Sequence, residues 1–182
     1  GYGKTTMSEI ASDCGMSAGN IYRFFASKID IAEAMARKFN VELYQTYAEI
    51  ARETIPAPDR LRKFFNHGLT HTFDAIQKDA KILEVAEVLS DERPLFFNEG
   101  LAQERIYLNQ ILEDGIAAGI FAPMEDVTFV SEMIQSALMK FRFPQLYSLL
   151  TLQKLRRELY GVLDILIAGL KHGVEFTKTP ER

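Results

Sequence analysis

Apolar positions recur at helical spacing along almost the whole chain, and short polar caps punctuate them. Met7, Ile10, Ala11 and Cys14 follow the i, i+3, i+4, i+7 pattern of one buried stripe. Thr6 precedes that stripe and Glu9 lies three residues later, the spacing of a capping box in which the threonine hydroxyl and the glutamate carboxylate satisfy backbone N–H groups reciprocally. A helix is therefore predicted to start at Met7 and to end at Gly15, which supplies the left-handed backbone of a C-terminal turn. Ser17 is a second cap, and Ile21 and Phe25 make the inward face of the helix it opens. Two short helices that cross steeply need a small contact residue, a turn residue free to take positive φ and one apolar anchor. Ala11, Gly15 and Ile21 fill these roles, so the segment reads as a helix-turn-helix.

The same logic divides the remainder into longer helices. Ser27 caps one that runs from Lys28 to about Glu53, ended by Pro56 and Pro58. A second, from Pro58 to about Lys78, carries Leu61, Phe64, Phe65, Leu69, Phe73 and Ile76 on a broad apolar face. Asp79 caps a shorter helix from Ala80 to Leu89, and Pro94 opens a long one that reaches about Ala118 and closes at Gly119. The last two are predicted at about Asp126 to Phe143 and Leu152 to Phe176, separated by Pro144. No strand alternation and no repeat interrupts the pattern, and the predicted fold class is all-α.

These final helices are apolar over more than one stripe. Val127, Val130, Met133, Ile134, Ala137, Leu138 and Phe141 on one, and Leu155, Leu159, Val162, Leu163, Leu166, Ile167 and Leu170 on the other, exceed the arc of about 100° that a single core face needs. Gly161, Ala168 and Gly169 permit close helix approach, so a second interface is the expected use of the surplus, against the simpler alternative of a deep monomer core.

Composition narrows the function classes. With 182 residues of which 47% are hydrophobic, the chain can bury a substantial core. The net charge of −4 is unevenly placed: residues 1–40 carry +1 and the rest −5, so any basic patch is local to the beginning of the chain. The single cysteine, Cys14, excludes an intrachain disulfide and, from its place on the first apolar stripe, is expected to be a small core residue in a reducing cytoplasm. Leu159 to Leu170, the most apolar stretch, contains Asp164 and is too short to span a bilayer. His67 and His71 share a helix face, but no third ligand accompanies them, and no metal or other cofactor is expected. Phe64, Gly68 and Gly169 occupy the positions three before His67, His71 and His172, so the Glu-x-x-His pairs of a di-iron bundle are absent. No Walker A loop or Gly-x-Ser-x-Gly elbow occurs either, and an enzyme is not expected.

Gly1-Tyr2, Thr5-Thr6-Met7, Ile10-Ala11, Gly15-Met16-Ser17, Gly19, Ile21-Tyr22, Phe25 and Ser27-Lys28 together resemble the DNA-binding signature of the tetracycline-repressor (TetR) family of bacterial transcription regulators. The likeness covers about residues 1–40; the remainder fits by length and helical texture. Phe24 stands where the family usually has His or Tyr, and Asn20 where it often has Thr, Ser or a small residue. Members carry a helix before the glycine-tyrosine pair, so a preceding segment of roughly 10–20 residues is expected, the length of an average helix.

The resemblance implies a DNA-binding head over residues 1–45 and a ligand-binding and dimerisation body over 46–182, with the last two helices pairing with their symmetry mates in a homodimer. Two recognition helices about 34–36 Å apart enter successive major grooves of double-stranded DNA, so the expected operator is palindromic. On the recognition helix, Ser17, Ala18, Gly19, Asn20 and Arg23 are the outward candidates: Asn20 suits adenine, Arg23 guanine or a phosphate, and Ala18 a thymine methyl. Thr5, Thr6, Tyr22 and Lys28 are the candidates to hold phosphates. A small-molecule effector is implied among the middle helices, where Phe64, His67, His71, Phe73, Tyr107, Ile111, Met133, Gln135 and Arg142 are the candidate lining. The expected function is a ligand-responsive transcriptional regulator, a repressor on the family's pattern. The alternative is a helical protein-interaction module without specific DNA readout.

Overall fold

The computed structural model describes residues 2–147 and 149–176, so Gly1 of the glycine-tyrosine pair lies outside the described residues. Among these the chain is all helix and turn, without strands. A short 3-10 turn, Tyr2–Lys4, leads into α1 (Met7–Asp13) and α2 (Ala18–Tyr22), followed by the long α3 (Lys28–Ala51). Then come α4 (Ala57–Lys78), α5 (Lys81–Glu92), α6 (Pro94–Ala117), α7 (Val127–Ala137) and α8 (Leu152–His172).

The caps act as their residue types dictate. Thr6 Oγ1 accepts from the Glu9 N–H at 3.2 Å while the Thr6 N–H donates to Glu9 Oε2 at 2.7 Å, closing the capping box. Gly15 has φ 66°, and the Met16 N–H returns to the Ala11 carbonyl at 2.8 Å to tie off α1. Ser17 Oγ accepts from the Asn20 N–H at 3.2 Å. Ser27 donates its backbone N–H and its hydroxyl to Asp30 Oδ2, at 2.9 and 2.8 Å, and so fixes where α3 begins.

Three apolar clusters follow. Met7, Ala11 and Ile21 form the small core of the head, with Ile10, Met16, Phe25 and Ile31 packed around it. Ile29, Ala32, Leu89 and Phe96 bind the first half of α3 to α5 and the start of α6. The main core gathers Leu43, Tyr47, Ile50 and Ala51 from α3 with buried residues of α4, α6, α7 and α8. Tyr47 stacks on Phe64 with ring centroids 3.8 Å apart. The helix α3 thus runs without a break through residue 45, the boundary between head and body that the family resemblance implies.

Three sequence expectations are corrected. The helix after Asp126 stops at Ala137 instead of Phe143: Pro144 lacks an N–H and holds Phe143 extended (φ −99°, ψ 109°), and short 3-10 turns at Met139–Phe141 and Pro144–Leu146 replace the last turns. That irregular path lets Leu138, Phe141 and Tyr147 all point into the core. The helix α8 ends at His172 because Gly173 takes φ 86°. Cys14 is exposed. It follows the last turn of α1 as its C-cap, where the stripe no longer faces the head core, so it is not a core residue.

Gly115 on α6 faces Phe121 and Ala57 so closely that a Cβ there would overlap the Phe121 ring. Both neighbours are almost fully buried, at 3% and 1% exposure, and neither has room to retreat. Gly115→Ala is therefore expected to cost about 1–3 kcal/mol by overpacking, seen as a lower denaturation midpoint with an unchanged denaturant slope.

Candidate DNA interface and effector site

The head exposes one short helix. Ser17 and Gly19 are exposed, Ala18 and Asn20 half-buried, and Tyr22 and Arg23 exposed at its far end. Arg23 and Lys4 have no acidic partner among the described residues, so their charges face solvent unneutralised, which is what a phosphate or a guanine edge requires. Phe24 is 67% exposed beside them.

The phosphate candidates are not equivalent. The Thr6 hydroxyl donates to Glu9 Oε2 at 2.8 Å while it accepts the Glu9 N–H, so its proton is already committed to the cap. The Thr6 backbone and hydroxyl also hold the Glu9 carboxyl below the usual carboxylate range. Thr5 is half-buried. Lys28 departs most from expectation: it points inward, donating to the Tyr2 carbonyl at 2.5 Å and the Thr5 carbonyl at 2.8 Å, with its ammonium 4.2 Å from the centre of the Tyr2 ring.

In the body, a narrow cavity of about 20 Å³ lies among α3, α4, α6, α7 and the turns after α7. Tyr47, Phe65, Gly68, Leu69, Leu101, Leu138 and Phe141 make its apolar wall, and Glu104, Gln135 and Arg142 its polar end. Of the candidate effector residues, Gln135 and Arg142 line it. Phe64 and Ile111 are fully buried in the surrounding core, and Phe73 and Tyr107 pack against that core. Met133 is 38% exposed on the outer side of α7. His67 and His71 lie on the α4 face toward α3, with the His71 ring 4.3 Å from Phe39 and the His67 ring 6.0 Å from Tyr47. Both Nε2 atoms are buried without a hydrogen-bond partner among the described residues. Burial, and secondarily His71, lowers the pKa of His67 and favours its neutral form.

The residue that sequence reasoning missed is Glu104. It is 2% exposed and forms an ion pair at 2.9 Å with Arg142, yet its Oε2 lacks a donor at hydrogen-bonding angle. Its signal was present, since Leu101, Glu104, Leu108, Ile111, Leu112 and Gly115 continue one helical stripe in which a single carboxylate stands among apolar residues. Burial works against the charge of Arg142, but Glu104, Tyr47 and Tyr44 outweigh it and raise its pKa above the ordinary arginine value. Gln135 is fully engaged: its Oε1 accepts from Arg105 at 2.9 Å and its Nε2 donates to the Leu101 carbonyl at 3.1 Å. The Glu104 carboxylate and the Arg142 guanidinium are thus the adaptable polar groups of the cavity.

The capped helix-turn-helix and the helical body behind it each fall within a matched family model. Residues 1–35 match the family model described as bacterial regulatory proteins, tetR family, and residues 57–163 match that of the tetracyclin repressor-like C-terminal domain. The chain belongs to the TetR family.

Within that family it is similar to the HTH-type transcriptional repressor KstR2 of Mycobacterium tuberculosis (strain ATCC 25618 / H37Rv), 29% identical over 136 residues covering 72% of this chain and 66% of the relative. The corresponding repressor of Mycolicibacterium smegmatis is 29% identical over 137 residues, covering 72% and 64%. The matched segment therefore spans just under two thirds of these curated TetR relatives. Among solved structures, FadR from Bacillus subtilis in complex with stearoyl-CoA superposes with a TM-score of 0.69 at 21% identity, over 93% of this chain and 90% of that one. KstR2 of Mycobacterium tuberculosis superposes with a TM-score of 0.57 at 26% identity, over 93% and 86%. The all-helical TetR fold is common to them all.

Replacing Arg142 with Met leaves the Glu104 carboxyl almost fully buried and without its counter-ion. The expected cost is about 3–5 kcal/mol. Glu104→Gln should cost less, because Arg142 keeps a quarter of its side-chain surface in solvent. Chemical denaturation of the two variants checks the order, and equal costs would contradict it.

Proposed function

We propose that the chain is a cytoplasmic, dimeric, ligand-responsive transcriptional repressor that reads a palindromic operator. The observation that carries the reading is the head: a doubly capped helix-turn-helix that exposes Tyr22 and an unpaired Arg23 at the end of its second helix, with Asn20 half-buried on it, next to the α3 that packs into the body. The repressor names of the curated relatives support the sign of regulation. Residues 1–45 act as the head and residues 46–182 as the body on this reading.

Dimerisation through α7 and α8 is supported by the surface they leave in water. The stripe Leu155, Leu159, Leu163, Ile167 and Leu170 is buried inside the protomer. On other faces of the pair, Gly161, Ile165 and Ala168 of α8 and Phe129 and Met133 of α7 are exposed, Ile165 at 74%. An apolar surface bearing small residues suits close packing against a second copy. A dimer would also double the phosphate contacts of a head whose net charge is only +1 over residues 1–40.

The effector is read as a mainly apolar molecule whose polar group meets Arg142 and Glu104. The lining supports this, as do the stearoyl-CoA named with FadR and the ketosteroid regulation named for KstR2. A ligand controls such a protein only by preferring one separation of the two heads over another.

Selection from a random pool of duplexes is the primary experiment, with an enriched palindrome as the expected result. On the selected duplex, Arg23→Ala is expected to lower affinity by about 5- to 150-fold, the range of one good base contact, with the dimer and helical content retained. Unchanged affinity would favour the protein-interaction reading. Ile165→Asp is expected to shift the protein to monomer in sedimentation analysis and to weaken operator binding, since one head alone makes half the contacts.

A further inference from the structure

A lysine in the first turn of a helix sits against the positive end of the helix dipole, where a cation is disfavoured. Lys28 is the first residue of α3 and is half-buried there. Its ammonium is satisfied elsewhere: it donates to the carbonyls of Tyr2 and Thr5 and lies against the Tyr2 ring. These contacts reach back more than twenty residues and close the turn that leads into α1. The same turn is held from its other side. Glu84 on α5 accepts from the Gly3 N–H at 2.7 Å, and this backbone contact holds the Glu84 carboxyl below its usual range. Tyr2 also packs against the cluster formed by Ile29, Ala32, Leu89 and Phe96, so side chains of the head and body meet at this point.

We propose that Lys28 is a positioning residue rather than a phosphate contact, and that Lys28 and Glu84 form a two-sided clasp on the Tyr2–Thr5 turn, through which α5 of the body sets the placement of α1 against DNA. The inference rests on the DNA-binding reading. It assigns Glu84, far from the recognition helix in sequence and opposite in charge to what DNA attracts, a part in operator affinity. The carbonyls face the cation and an amide faces the anion, so the turn is polarised across its width. Loss of either partner frees one side of it.

The clasp and simple electrostatics make opposite predictions. If charge alone mattered, Glu84→Ala would raise DNA affinity by removing repulsion, and Lys28→Met would lower the salt dependence of binding by about 0.9 in log–log slope, one released counterion. If the clasp operates, both variants bind more weakly, by about 5-fold or more, with the salt slope unchanged. The double variant then loses little more than either single one, because both act on one turn.

The probe is the palindrome selected by the wild-type chain, measured by fluorescence anisotropy between about 50 and 200 mM salt, the range over which phosphate contacts are most visible. Amide hydrogen exchange of the same full chains without DNA is the companion measurement. The clasp predicts faster exchange at Gly3 and Thr5 in both variants, with the α3 amides from Leu43 to Ala51 unaffected. Tighter binding by Glu84→Ala, or a slope reduced by about one contact in Lys28→Met with Gly3 and Thr5 exchange unchanged, overturns the inference. If the wild-type chain selects no duplex, the DNA-binding reading fails with the functional half of this inference, while the exchange data still decide whether the clasp exists.

Discussion

The helix α3 has to satisfy two cores at once, and most of the architecture follows from that demand. Its first half contributes Ile29 and Ala32 to the junction with α5 and α6, and its second half contributes Leu43, Tyr47, Ile50 and Ala51 to the main core. At 24 residues it is about 36 Å long, comparable to one turn of B-DNA. A continuous helix bends little, so a change in how its C-terminal half packs is carried to the head as a displacement rather than absorbed in a linker. The charges of its first three turns hold its direction: Arg93 bonds Asp30 at 2.8 Å and Glu33 at 3.2 Å, and Arg37 bonds Glu33 and Glu99. Partly exposed pairs of this kind contribute little stability individually. Their value here is geometric, because they fix the azimuth at which α3 meets α5 and α6.

The cavity proposed for the effector lies along the same helix. Tyr47 lines it, stacks on Phe64 and sits so close to Gly68 that a Cβ at that glycine would overlap its hydroxyl. Tyr44, one turn earlier, donates to the Gly100 carbonyl at 3.3 Å. At about 20 Å³ the cavity has room for a water but not for an organic molecule, so on the proposed reading an effector parts the walls to enter. The walls most exposed to that parting are α3, α6 and the irregular turns after α7, where Glu104 and Arg142 form a buried pair. Glu104 of this pair is almost fully buried and depends on Arg142 for its counter-charge, so a third polar group beside the pair disturbs that balance. On the proposed reading, ligand binding at one end of α3 and DNA binding at the other are linked through the packing of that helix.

The sequence made the head legible because its punctuation is local. A capping box, a positive-φ glycine and two serine caps act within four residues, and each formed at the positions expected. The long helices and the all-α class were legible for a related reason, since periodicity survives any tertiary arrangement. What depends on distant partners was not. Lys28 reads as a basic residue on a DNA-binding segment, but its carbonyl partners lie across the head and only the fold brings them near. Cys14 shares the phase of a buried stripe, yet the helix ends one residue before it. The candidate effector residues mark aromatic and polar positions of the middle helices without saying which face each presents, and only Gln135 and Arg142 reach the cavity. Glu104 was the available clue, a carboxylate on a core stripe that is affordable only beside a cation.

Cys14 also offers the most direct test of the whole account. It is the single cysteine of the chain, it is exposed, and it sits in the turn before the recognition helix. A spin label at this position in a symmetric dimer reports the distance between the two heads by double electron–electron resonance. With the selected duplex bound, the expected result is one narrow distance, fixed by heads that sit in successive major grooves, and a broader or displaced distribution in the free protein. Absence of a dipolar signal, or a distribution that DNA leaves unchanged, would contradict a paired head whose spacing is what the operator reads.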